Sequence, residues 1–197
     1  MKRLLIITGP QGSGNHIFSR LLSLHPEVCG WDDLLDNYWV PSDQEPFADY
    51  WVTPELLTQD HFVGSNYHLA NVSCPFFYDG VRTIPKIVEV AKRAQSFGVN
   101  VSVGIIVRDQ TINQMQQQRV RSEHTTPIAQ DYYYNILIPS GIRVDFIDHE
   151  AFFLHQHYYL QWLSRILDFP VDYNNPDLLK YITNSPNSKY VTPVDYH

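Results

Sequence analysis

KRLLIITGPQGSGNHIFSRLLSLHP, residues 2–26, decides how the rest of the chain is read. Leu4 to Ile7 is a short apolar run ended by glycine, the pattern of a strand buried on both faces of a parallel sheet. Ile17, Phe18, Leu21, Leu22 and Leu24 then recur at helical spacing. Between them lies Gly9-Pro-Gln-Gly12-Ser-Gly14-Asn-His16. Strand, glycine loop and helix together aim backbone N–H groups and the positive end of a helix dipole at one spot, which suits an anion. Glycines let that anion approach the backbone closely.

The phosphate-loop pattern G-x-x-x-x-G-K-[ST] is met by Gly9 and Gly14 and then fails. Asn15 stands at the lysine position and His16 at the hydroxyl that would hold Mg²⁺. Phosphoryl transfer of the usual kind relies on both groups, so their loss argues against it while leaving an anion site. The dinucleotide fingerprint G-x-G-x-x-G is absent, which separates this loop from nicotinamide-nucleotide folds.

Working outward, 197 residues with 44% apolar content suit one globular domain, residues 1–197. A net charge of −7 argues against a general nucleic-acid binder and requires that an anion be held locally. Two distant cysteines, Cys29 and Cys74, fit a reduced cytoplasmic protein better than a disulfide scaffold. The first apolar run is too short for a signal peptide, and no later run is long enough to span a membrane.

His25-Pro26 stops the first helix, and 27–30 reads as a short strand. Residues 31–60 are irregular and hold Trp31, Asp32, Asp33, Trp39 and Trp51, the profile of a lid or substrate loop. A strand is expected near 61–73, ending around His68. Thr83 reads as the N-cap of a helix that Gly98 ends, with Ile87, Val88, Val90, Ala91 and Ala94 inward. Val101–Val107 reads as a buried strand that ends in Arg108-Asp109, followed by a glutamine-rich helix over 110–122. The carboxyl end of a central parallel strand is where ligands bind in open α/β sheets. A short helix around 128–137, a strand over 142–147, a helix over 151–167 and an irregular tail over 171–197 complete the reading. The expected fold is therefore α/β, three-layer, of the P-loop nucleoside triphosphate hydrolase type, with a mainly parallel sheet. His155 and His157 point to different helix faces and make no metal pair.

In this order the pieces resemble the sulfotransferases that use 3′-phosphoadenosine 5′-phosphosulfate. GPQGSGNHIFSRLLSLHPEV is similar to that family's phosphosulfate loop and the helix after it. The resemblance implies that Gly9, Gln11, Gly12, Ser13, Gly14, Asn15 and His16 hold the 5′ end of the co-substrate. GIIVRDQTINQMQQQRVR, residues 104–121, resembles the strand and helix that bind the 3′-phosphate, which implies that role for Arg108 and Gln116. SNYHLAN, residues 65–71, resembles the K-T-H-L-P segment and implies His68 as catalytic base. Members acting on heparan-type glycans use a glutamate instead, which implies Asp32 or Asp33 as the alternative, in the stretch after HPEV. VDFIDHEAFF and LDFP resemble the family's late segment. The implied reaction transfers a sulfuryl group to a hydroxyl or amine of a small-molecule or glycan acceptor, with no metal and no nucleic-acid or membrane partner.

The sequence departs from the family at three positions of the site, two of them charged there. Gln11 and Gly12 replace the loop cation, Asn66 the lysine of K-T-H, and Gln116 the serine beside the 3′-phosphate. Each lost charge-assisted contact is worth roughly 1.5–3 kcal/mol. Arg82, Lys86 and Arg119 are the cations considered as replacements. Two other readings stay open: a nucleotide or small-molecule kinase of the same fold using Arg119 and Arg121, and a non-catalytic nucleotide-binding relative.

Overall fold

The computed structural model describes residues 1–37, 40–182 and 187, leaving aside the side chains of 179 and 182. Strand β1 spans Arg3–Pro10, and its residues Leu4 to Ile7 are at most 1% exposed, as a strand covered on both faces must be. Helix α1 covers Asn15–Ser23 and β2 covers Val28–Cys29. The chain then runs through short 3₁₀ turns to β3, Tyr67–Cys74. A hairpin of β4, Phe76–Tyr78, and β5, Val81–Thr83, precedes α2, Ile87–Ser96. Strand β6, Asn100–Val107, leads to α3, Gln110–Arg121, and α4, Thr126–Tyr132. A π-helical turn, Tyr133–Leu137, and β7, Arg143–Asp148, lead into α5, His149–Leu167, and α6, Leu178–Ile182.

The main sheet is five-stranded and parallel throughout, in the order β2-β3-β1-β6-β7. Its two faces are covered by separate apolar clusters. Leu5 and Ile7 of β1 meet Phe18, Leu21 and Leu22 of α1 and Phe152, Leu160 and Leu163 of α5. Leu4 and Ile6 face the other way, toward Ile87, Val90 and Ala91 of α2 and Ala129 of α4. This is the expected three-layer P-loop type of α/β fold. From β1 the chain leaves toward β2, and from the adjacent β6 toward β7 on the opposite side. The connections thus diverge between β1 and β6, which opens a crevice beyond the carboxyl ends of those strands.

Four local expectations are corrected. Strand β3 begins at Tyr67 and runs to Cys74, so His68 lies at its start and not its end. The buried polar residues of HLANVSC, His68 and Asn71 at 2% and 1% exposed, hide a strand that is inside on both faces. Thr83 is the last residue of β5, and α2 begins four residues later, because the β4–β5 hairpin occupies its place. The helix expected over 128–137 is α4 running into the π-turn. Helix α5 begins at His149, with the Asp148 carboxylate accepting the Ala151 N–H at 2.8 Å as its cap.

Segment 31–60 is anchored through its apolar residues. Trp31 is buried in one cluster, and Trp51 and Leu57, with the neighbouring Phe62, in the other. Trp39 lies outside the described residues, as do 183–186 and 188–197 of the tail. Cys29 is opposite His68 in the sheet and Cys74 six residues further along β3, about 20 Å away at 3.3 Å per residue. Both are free thiols. Among the described residues, no helix is long and apolar enough to cross a membrane.

Candidate functional site

The glycine loop lies at the carboxyl end of β1, beside the divergence point of the sheet. A tight turn closes it, the Ser13 N–H donating to the Pro10 carbonyl at 3.0 Å. Gly12 and Gly14 have φ of +85° and +108°, conformations that cost an L side chain strain. Gly14 has a second reason to be glycine. A Cβ there would stand 2.7 Å from Cδ2 of His149, which packs against the start of α1.

Helix α3 clamps the loop from outside. Gln117 is fully buried and donates from Nε2 to the Gln11 carbonyl at 2.7 Å, while its Oε1 accepts the Thr125 N–H at 2.9 Å. Arg108, at the end of β6, donates from Nη1 to the Gly12 carbonyl at 2.5 Å and to Oε1 of Gln116. A Cβ on Gly12 would meet that same Gln116 side chain at 3.1 Å. The structure therefore brings Arg108 and Gln116 together over the loop. Asn187 also reaches Arg108. Asn187 accepts from Nε at 3.1 Å and from Nη2 at 2.6 Å, and donates to Glu150 at 3.0 Å.

Inside the loop, Ser13 and Asn15 brace each other. Ser13 Oγ donates to Asn15 Oδ1 at 2.8 Å, and Asn15 Nδ2 donates to Ser73 Oγ at 3.1 Å. Asn15 thus ties the loop to the end of β3. His16 turns aside, its ring tilted by 54° against Trp31 at 5.2 Å and its Nε2 2.8 Å from Oε1 of Glu45. Glu45 is buried, and its other oxygen accepts from Nδ2 of Asn71 at 2.5 Å. A carboxylate therefore sits against the helix position that would carry the Mg²⁺-binding hydroxyl. Among the described residues no group of three or more His, Cys, Asp or Glu is placed to hold a metal.

His149 is fully buried, and neither ring nitrogen makes a hydrogen bond to the protein. The Glu150 carboxylate is 3.3 Å from Nδ1 but out of line for one. Loss of hydration, reinforced by the positive charge of Arg108 and partly offset by Asp148, pushes the imidazole down to about 3. His149 is thus a neutral ring under the loop.

The two expected catalytic residues are not brought there. His68 pairs with Leu4 at the opposite end of β1, whereas Ser73 pairs with Gly9, so five residues of strand, about 16 Å, separate it from the loop. Its Nε2 faces the Ser65 carbonyl at 3.1 Å, which can only accept, so Nε2 carries the proton and Nδ1 accepts from the Cys29 thiol at 3.1 Å. Burial lowers the His68 pKa and raises that of Cys29, so the pair rests neutral. The base role expected of His68 thus falls on a histidine that is hydrogen-bonded inside the sheet, five strand residues from the loop. Asp33 is exposed on the turn Asp32–Leu34, which follows the short β2 rather than the glycine loop. Of the considered replacement cations, Arg82 is paired with Glu123.

No family model and no curated protein matches the chain. One solved structure with a similar fold is a mouse sulfotransferase. It is SULT7A1 complexed with PAP, 9% identical, with a TM-score of 0.46 and covering 93% of this chain. The chain in turn spans 63% of that enzyme's length.

Sequence reasoning missed Glu45, Asn71, His149 and the clamp by Gln117. Glu45-Pro46 inside an aromatic excursion and a lone Asn within a buried strand were the available signals. His149 shows in the sequence only as a polar residue directly after the strand expected over 142–147.

Proposed function

We propose that this chain binds an adenosine 3′,5′-bisphosphate-type nucleotide and transfers a sulfuryl group from its phosphosulfate form to an acceptor. The observation that carries the reading is the meeting of Arg108 and Gln116, eight residues apart, over Gly12 of the glycine loop. That spacing is the one at which the resembled family recognises a 3′-phosphate.

In this reading the first-turn N–H groups of α1 and the backbone around Gly12 and Gly14 receive the 5′ end of the co-substrate, favoured by the helix dipole. The Arg108 guanidinium takes the 3′-phosphate through charge-assisted hydrogen bonds, exchanging the Asn187 amide for phosphate oxygens. Transfer breaks the bond from sulfur to the bridging oxygen of the 5′-phosphate and forms one from the acceptor oxygen to sulfur. The acceptor proton must leave, and Glu45 is a carboxylate in contact with the loop helix through His16, with lone pairs beyond those used by His16 and Asn71. Neither a lysine nor a metal-binding hydroxyl is needed from positions 15 and 16 for this chemistry.

The test is a calorimetric titration with adenosine 3′,5′-bisphosphate, with Mg-ATP in parallel. The reading expects micromolar bisphosphate binding and none of Mg-ATP. Binding of Mg-ATP alone would favour phosphoryl chemistry. Turnover is then followed as transfer of ³⁵S from labelled phosphosulfate. A second reading, nucleotide binding without catalysis, draws on the absence of a loop cation and the distance of His68. Bisphosphate binding with no transfer to any acceptor would favour it.

A further inference from the structure

His149 opens α5, and its ring is fully buried against Phe18 of α1 and Phe153 of α5. Among the described residues neither ring nitrogen has a hydrogen-bond partner. Buried polar groups are nearly always paired, so two orphan nitrogens on one ring call for a partner from outside the chain. The ring occupies the space of a loop side chain. A Cβ on Gly14 would stand 2.7 Å from Cδ2 and 3.3 Å from Nε2. Gly14 is the N-cap of α1, so Nε2 faces the helix end that attracts an anion. On its other side Nδ1 lies 3.3 Å from Oε1 of Glu150. That carboxylate is held in place by the Asn187 amide at 3.0 Å and the Asp109 N–H at 3.1 Å. Among the described residues, the other charges acting on the ring are Arg108 from the end of β6, which opposes a proton there, and Asp148 from β7, which favours one.

We infer that His149 supplies the loop cation that Gln11, Gly12 and Asn15 do not: it takes a proton from solvent when an anion enters the loop, and holds that anion from Nε2 while Nδ1 donates to Glu150. The inference rests on the nucleotide site proposed above. Only the protonated ring has an N–H at both nitrogens, and only then does each face an acceptor, the anion on one side and Glu150 on the other. Without an anion, burial and the charge of Arg108 keep the ring neutral. A bound nucleotide removes both obstacles. Its 5′ phosphate places negative charge beside Nε2, and its 3′-phosphate neutralises Arg108. A lysine in this place would be a buried charge beside Arg108 whenever the anion is away, a cost that histidine avoids by losing its proton.

The test is calorimetry on the whole protein with adenosine 3′,5′-bisphosphate and, separately, with sulfate, in buffers of different ionisation heat. At pH 6.5 the wild type should take up about one proton more per bound anion than His149→Leu, a difference in which the titration of the nucleotide itself cancels. Its affinity should gain on that variant by up to about tenfold per pH unit as pH falls from 8 to 6.5, because the complex holds a proton that the free protein does not. His149→Gln, which keeps a donor but cannot ionise, should show no extra proton uptake. Imidazole ¹⁵N NMR of the wild type, with the His149 signals identified by their loss in His149→Leu, should move from the neutral to the doubly protonated pattern on titration with either anion. Bisphosphate binding with equal proton uptake in wild type and His149→Leu, or with His149 signals that stay neutral, would overturn the inference and leave the nucleotide reading intact. Sulfate binding with the extra proton but no bisphosphate binding supports His149 as the loop cation and removes the nucleotide reading. Binding of neither anion overturns both.

Discussion

Replacing His149 with leucine should remove a pH dependence from the stability of this protein. The folded imidazole titrates at about 3, against an ordinary value of 6.5, chiefly because burial strips its hydration. Between those values the unfolded chain binds a proton at this position and the folded chain does not. Stability therefore rises with pH across this window and is lost as pH falls below 6.5. One proton of difference is worth about 1.4 kcal/mol per pH unit, so the loss by pH 5 is about 2 kcal/mol. For a chain of this size that is a fall in Tm of about 4–8 °C. His149→Leu should lack this part of the decline. At pH 8 it should match or exceed the wild type, because it removes two ring nitrogens with no hydrogen-bond partner in the protein. The assay is urea unfolding at pH 8, 6.5 and 5 for both proteins. The other histidines cancel in the difference between them. Equal pH slopes in the two proteins would refute the argument, since they would mean that His149 is hydrated or proton-bound in the folded state.

The other predictions concern the site. Arg108→Ala should weaken adenosine 3′,5′-bisphosphate binding by about 10- to 100-fold in calorimetry, the loss of a charge-assisted pair; an unchanged affinity would remove Arg108 from the site. Asn187→Ala should strengthen the same binding about two- to tenfold, because the amide competes for the Nε and Nη2 edge of Arg108; weaker binding would make Asn187 a ligand contact instead. Glu45→Gln should lower ³⁵S transfer by about 10²- to 10⁴-fold with bisphosphate affinity held within a few-fold, and a variant with full turnover would end its role as base. Gly14→Ala should cost about 2 kcal/mol or more in urea unfolding, through positive φ and the approach to His149; wild-type stability would show that the loop relaxes.

Much of the frame was legible because it is written in local patterns. The apolar run Leu4–Ile7, the glycines and the helical spacing of Phe18, Leu21 and Leu22 specify strand, loop and helix without reference to anything distant. The glutamine-rich helix was visible too, but its purpose was not. Gln116 and Gln117 are polar side chains whose partners, Arg108 and the carbonyl of Gln11, come from other elements. His68 shows the opposite failure. Its short flanking motif pointed to a catalytic role, yet its position depends on where β3 starts relative to β1, a register that neighbouring residues do not encode.

The sequence by itself determined the main alternation of strands and helices, the glycine turn between β1 and α1, and the absence of a loop lysine. These follow from side-chain periodicity and from the backbone freedom of glycine, both properties of short stretches. Only the tertiary structure decided which ionisable groups face that loop. Glu45 arrives from an irregular segment anchored by Trp31 and Trp51, and His149 from the start of α5, 135 residues after Gly14. Their placement comes from burial of apolar anchors elsewhere in the chain. The hydrophobic energy that fixes them is summed over the whole core and leaves no mark beside the residues it positions.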